Sequence, residues 1–148
     1  VHVHRGYVSD CTRIFSAGQL SDEWKQKLDD MAEVADFVID GLGKGMDCSA
    51  IWEEGCAMAA EMGHAGHLMG MPPDQARFLG HSVGLELDET PVVARGFDRP
   101  LKRGGTMAIE PKVVYPDGAI GTEDTWARGA DGMECLTMGE SFPMLTEW

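Results

Sequence analysis

Residues 107–125, MAIEPKVVYPDGAIGTEDT, hold two runs of strand character on either side of Pro116-Asp117-Gly118, and each run carries a glutamate. A turn centred on Pro116-Asp117 pairs residues whose numbers sum to 233, a condition that Glu110 and Glu123 meet. Directly opposite residues of an antiparallel pair share a face, with Cβ atoms roughly 4.5–5.5 Å apart. Two carboxylates that close repel, and the repulsion is relieved by a proton or by a cation between them. Hard divalent ions accept such carboxylates readily. The alternative is a solvated face carrying both glutamates, and a one-residue slip of the turn would send them to opposite faces. Pattern alone leaves both readings open.

Working outward, the segment GHSVG offers a nitrogen ligand, His81, between Gly80 and Ser82. Small residues in a strand allow another backbone or a substrate to come close. Imidazole joins carboxylates around divalent transition ions, although a single histidine in a strand is commonly structural. Asp10 stands at the break after Tyr7-Val8-Ser9, within a first stretch of two expected strands over residues 1–17. Ser21 is suited to cap a helix in which Trp24, Leu28, Met31, Ala35, Val38, Ile39 and Leu42 recur at helical spacing, closed by GLGKG. Asp47 or Ser49 opens a second helix with Ile51, Gly55, Met58, Ala59 and Met62 on one stripe. A last strand is expected near MECLTM. Strands, two neighbouring helices and strands again predict an α+β fold with the helices over one sheet face.

Composition narrows the partners. The 148 residues are 43% apolar with four tryptophans, enough for a packed core. The formal charge of −13 is spread along the chain and repels phosphate backbones and anionic lipid, so nucleic acid and membrane are not expected partners. Cys11, Cys48, Cys56 and Cys135 form no CxxC pair and read as free thiols of a reducing compartment, which points to the cytoplasm. GLGKG follows a helix and lacks the Lys-Ser/Thr ending of a phosphate loop. His64 and His67 have HxxH spacing in a Gly- and Met-rich stretch, read here as an ordinary packed loop.

Taken in order, GYVSDCTRIF, GHSVGLELDETP, MAIEPKVVYPDG and GTEDT resemble the motifs of the pita-bread metallopeptidases (family M24) from about Arg5 to Thr137. The surroundings of the first two look most like the Xaa-Pro dipeptidase and aminopeptidase P branch. The resemblance implies a pita-bread fold and two divalent ions, manganese or cobalt foremost, with zinc or iron as alternatives. Carried over by motif, the metal ligands are Asp10, His81, Glu110 and Glu123. Asp10 and Glu123 would bridge the ions, and Glu110 would also shuttle a proton. A small peptide or dipeptide is the implied substrate, and a homodimer the implied state of the parent protein.

The departures carry their own expectations. Family spacing puts the first metal aspartate eleven positions before Asp10, ahead of Val1. Residues 1–148 are therefore expected to be the C-terminal portion of a catalytic domain truncated on its N-terminal side, with impaired metal binding and little peptidase activity in isolation. His2 and His4 share the parity of Asp10 but read as half-exposed strand surface. Asp88 stands where the peptidases carry a hydrogen-bond-donating catalytic histidine, and a carboxylate donates only when protonated. Gly121 takes the place of a frequent arginine, and Lys112 that of a small residue, a change expected to be minor. A non-peptidase hydrolase or lyase, or a binding protein without catalysis, is the alternative on the same scaffold.

Overall fold

The computed structural model describes residues 1–137 and 144–148. Its N-terminal stretch forms three short strands, β1 (His2–His4), β2 (Tyr7–Ser9) and β3 (Ile14–Ser16), where two were expected. The difference lies at Arg5-Gly6, both at positive φ, which fold β1 back on β2. His2 pairs with Ser9, Val3 with Val8 and His4 with Tyr7. The turn reverses the parity rule, so His2 and His4 share the face opposite that of Asp10 and are exposed.

Helices α1 (Asp22–Lys44) and α2 (Cys48–Glu61) follow as the periodicity predicts. Ser21 Oγ accepts from the Trp24 amide, Asp22 and Glu23 occupy the positive first turn, and Lys44 the negative last one. On α1, Leu28, Met31, Val34, Ala35, Val38 and Leu42 form the buried stripe. It packs on α2 and on the strands that carry the hairpin. Asp47 takes the N-cap position of α2 without a side-chain hydrogen bond.

The remaining strands are β4 (Gly80–Ser82), β5 (Glu89–Val92), β6 (Thr106–Ile109), β7 (Lys112–Tyr115), β8 (Gly118–Gly121), β9 (Asp124–Arg128), β10 (Met133–Cys135) and β11 (Leu145–Glu147). Five of them form an antiparallel sheet in the order β10-β9-β6-β4-β5. β7 and β8 pair separately, and β11 runs parallel to β3. The last part of MECLTM, Met138, lies outside the described residues.

The quoted hairpin has the expected register throughout. Lys112 pairs with Gly121 and Tyr115 with Gly118; further from the turn, Thr106 pairs with Ala127 and Ile109 with Asp124, all on the sum of 233. Each arm is broken, however, into two strands that belong to different sheets. The break falls at Glu110-Pro111 and Thr122-Glu123, because Pro111 has no N–H for the ladder. There Glu110 N turns to another partner, donating to Leu79 O at 3.0 Å, while Thr122 N still donates across the hairpin to Pro111 O at 3.1 Å. Both glutamates thus sit at the crease between two sheets.

Candidate metal centre

Four separate stretches deliver the candidate ligands to that crease. Asp10 leaves β2 and runs antiparallel to the start of β9. Its amide donates to Thr125 Oγ1 at 2.8 Å, and that hydroxyl donates to Asp10 O at 2.8 Å. Two residues on, Thr12 N donates to Glu123 O at 3.1 Å, and the Thr12 hydroxyl donates to Glu123 Oε2. Arg13 locks the same segment from the other side of the strand. Its guanidinium is 2.7 Å from Asp124 Oδ1 and donates to Thr137 O at 3.1 Å. Consecutive residues of a strand point to opposite faces, so the Arg13–Asp124 pair leaves Glu123 facing Asp10.

His81 occupies the middle of β4, buried between Ala108 of β6 and Val92 of β5. The close approach expected of Gly80 is real. A Cβ there would fall 2.5 Å from Ala108 O, so any larger residue would push β4 off β6. His81 Nε2 lies 3.3 Å from Glu110 Oε1. On the ring's far side, Nδ1 is 3.3 Å from Ser82 O and 3.4 Å from Asp88 Oδ1. Asp88 itself is 78% exposed and meets the site at this imidazole.

Asp10, His81 and Glu123 each offer a ligand atom, all within 4.8 Å of one another. Glu110 joins them through His81, and with Glu123 it lines a cleft of about 200 Å³ that also includes Thr12, Ile14 and Lys112. The two hairpin glutamates therefore share a face. Their electrostatics differ. Burial chiefly raises the Glu123 pKa, the Asp10 and Glu110 carboxylates add to the rise, and the Thr12 hydroxyl opposes it. Burial also acts upward on Glu110, but its bonds to His81 and Lys112 outweigh it and leave the pKa lowered. The His81 pKa is raised, first by Glu110, against the opposing effect of burial. Three carboxylates and one imidazole, largely withdrawn from water, form the donor set that divalent ions such as manganese, cobalt, zinc or iron accept. The residues fit a metal.

The sequence matches metallopeptidase family M24 over residues 1–128. The chain belongs to that family. The M24 chain is 26% identical over 136 residues to an Xaa-Pro dipeptidase of Lactobacillus delbrueckii subsp. lactis, a match that takes in 91% of this chain and 35% of the relative. Its fold superposes on the prolidase from Pyrococcus furiosus with a TM-score of 0.80 at 25% identity, covering 93% of this chain and 39% of that one. The X-Pro aminopeptidase from Thermotoga maritima MSB8 gives a TM-score of 0.81 at 23% identity, over 97% of this chain and 38% of that one. The chain thus spans a little over a third of the length of these relatives, and its architecture is the corresponding part of the pita-bread fold.

The M24 chain uses its HxxH pair structurally. His64 Nε2 lies 2.8 Å from Asp30 Oδ2 and Nδ1 lies 2.8 Å from the Tyr115 hydroxyl, while His67 stacks on the Tyr115 ring at 3.9 Å. The two imidazoles tie their loop to α1 and β7. The sequence reading missed Thr12 and gave Lys112 too little weight. Thr12 is two residues beyond Asp10 in an extended segment, so shared facing was its available signal. Lys112 Nζ is 2.6 Å from Glu110 Oε2, an arrangement visible in sequence only as a cation two places after a glutamate.

Proposed function

We propose that the protein is a metal-dependent exopeptidase of the Xaa-Pro type, hydrolysing the peptide bond before proline in small peptides or dipeptides. Residues 1–148 serve as the C-terminal portion of its catalytic domain, in which Asp10, His81, Glu110 and Glu123 are four of the ligands for a pair of divalent ions, manganese or cobalt in preference to zinc or iron. The ligand set is incomplete in residues 1–148, which by themselves are expected to bind metal poorly and to show little peptidase activity. The observation that carries this reading is the convergence of Asp10, His81 and Glu123 ligand atoms within 4.8 Å, beside Glu110 and on an M24 scaffold. When bound, such ions supply Lewis acidity to a substrate carbonyl and to a water.

The chain's own residues do the rest. Glu110, held as a carboxylate, accepts a proton from that water and passes it to the leaving amine. Thr12 keeps Glu123 oriented. His81 presents Nε2 to the centre, and Ser82 O accepts the hydrogen of Nδ1, the type of outer contact that fixes a ligand's tautomer, with Asp88 Oδ1 3.4 Å from the same nitrogen. Asp88 is thereby a positioning group for His81. That role also favours a second reading, a non-peptidase hydrolase or lyase on the same centre, since a carboxylate replaces the expected donor on the substrate-facing wall. The family resemblance extends the first reading to a homodimer in the cytoplasm. Among the described residues no helix is long and apolar enough to cross a membrane.

Metal analysis of the full-length parent protein together with a panel of Xaa-Pro and Xaa-Ala dipeptides tests the reading. Ion-dependent hydrolysis confined to Xaa-Pro supports it. Ion binding with no dipeptide cleaved favours the second reading, and absence of bound ion overturns both.

A further inference from the structure

Lys112 opens β7 directly across from Gly121 of β8. A Cβ at Gly121 would fall 2.4 Å from Lys112 Cβ and 2.4 Å from Pro111 O, so the lysine stem lies against bare backbone and no side chain fits opposite it. The backbone of Lys112 is gripped from the other edge, where Met69 N donates to Lys112 O at 2.7 Å. Position and reach are thus both fixed by the fold. The ammonium ends 2.6 Å from Glu110 Oε2, while Glu110 Oε1 faces His81 at 3.3 Å. Among the described residues lining the cleft, Lys112 is the single cation.

Two cations cannot share one carboxylate at little cost. An ion held beside His81 at Oε1 and the ammonium seated on Oε2 would lie a few ångströms apart and repel each other, with little screening in a half-buried setting. We propose that Lys112 is a resident counter-cation that competes with a divalent ion for Glu110, so that loading the centre requires the ammonium to swing away. Escape is open to it, because the Lys112 side chain is 42% exposed. While seated, it holds Glu110 against His81 and limits the repulsion that Glu123 and Asp10 impose on the cluster. Lys112 is therefore a positioning residue that sets how tightly the ion is held. The inference rests on the metal-centre reading above.

The test is calorimetric titration of the full-length parent protein with Mn²⁺, comparing wild type, Lys112→Met, which keeps the stem, and Lys112→Arg, which keeps the charge. Circular dichroism verifies folding of each variant, and Lys112→Gln provides a second neutral form. The neutral variants are expected to bind Mn²⁺ about tenfold more tightly than wild type, with Lys112→Arg close to wild type. Unchanged or weaker binding in both neutral variants overturns the proposal, as does an arginine variant that behaves like the methionine one. Failure of the metal-centre reading looks different: wild type itself would take up no Mn²⁺, and the counter-cation role would fall with it.

Discussion

The Arg13 guanidinium and the Asp124 carboxylate meet at 2.7 Å, with side chains only 10% and 5% exposed, one residue away from Glu123 on the strand. A half-broken buried pair leaves an uncompensated charge, which costs about 3–5 kcal/mol. Asp124→Ala is expected to destabilise the fold by that amount, measured by urea unfolding. Glu123 loses its bracing at the same time, so Mn²⁺ affinity should fall as well. Full stability in this variant would mean that the pair is not what fixes β9 against the Asp10 segment.

Gly80→Ala tests the close packing beneath His81. The added methyl must displace Ala108 O, a backbone atom that cannot rotate aside. Overpacking of this kind costs roughly 1–3 kcal/mol. Ion binding is expected to weaken along with stability, since β4 carries His81.

The His81–Glu110 pair predicts a pH window in chelator-treated protein. The His81 pKa is raised above 6.5, so its contribution is full below that value and lost as pH rises through the folded pKa. The Glu110 pKa is lowered below 4.5, so its contribution is full above that value and lost as pH falls through the folded pKa. Wild type should exceed Glu110→Gln in stability by roughly 1–2 kcal/mol between about pH 4.5 and 6.5, with the margin shrinking on either side. Urea titrations at several pH values measure it, and a margin that grew above pH 8 would contradict it.

Cys56 should be a sluggish thiol. Burial, the main cause, pushes its pKa up to about 11 from 9.0. The native thiolate population at pH 8 is then roughly 100-fold below that of an ordinary thiol, and alkylation slows accordingly. Mass-spectrometric timing of iodoacetamide labelling, native against urea-unfolded, checks this.

His64→Ala removes the imidazole from both the Tyr115 hydroxyl and Asp30, which keeps only its bond from Gln26 among the described residues. The change should cost about 2 kcal/mol, yet leave Mn²⁺ stoichiometry unchanged. A lost ion would contradict the structural role of the HxxH pair.

The hairpin shows what a sequence alone can reveal. Pro116-Asp117 determines the turn, the turn determines register, and register alone puts Glu110 opposite Glu123. The split of each arm between two sheets was legible only in part: Pro111 marks one break, but nothing in the composition of Thr122-Glu123 marks the other. The helices were readable because seven positions in α1 and five on the stripe of α2, nearly all apolar, repeat at helical spacing. β11 escaped notice, since three residues paired in parallel with β3 leave no pattern long enough to recognise. Motif resemblance assigned His81 and Asp10 to the site, whereas the bonds of Thr12 and Lys112 depend on side-chain reach across strands. Strand alternation by itself misled for His2 and His4, because a tight turn reversed the face.

The crease where both hairpin arms change sheets makes one mechanical unit of Glu110 and Glu123. Because the β7–β8 ribbon beyond that line rests on α1, with Trp24 edge-on to Tyr115, the helix sets the aim of both acid groups toward Asp10 and His81 without touching any donor atom.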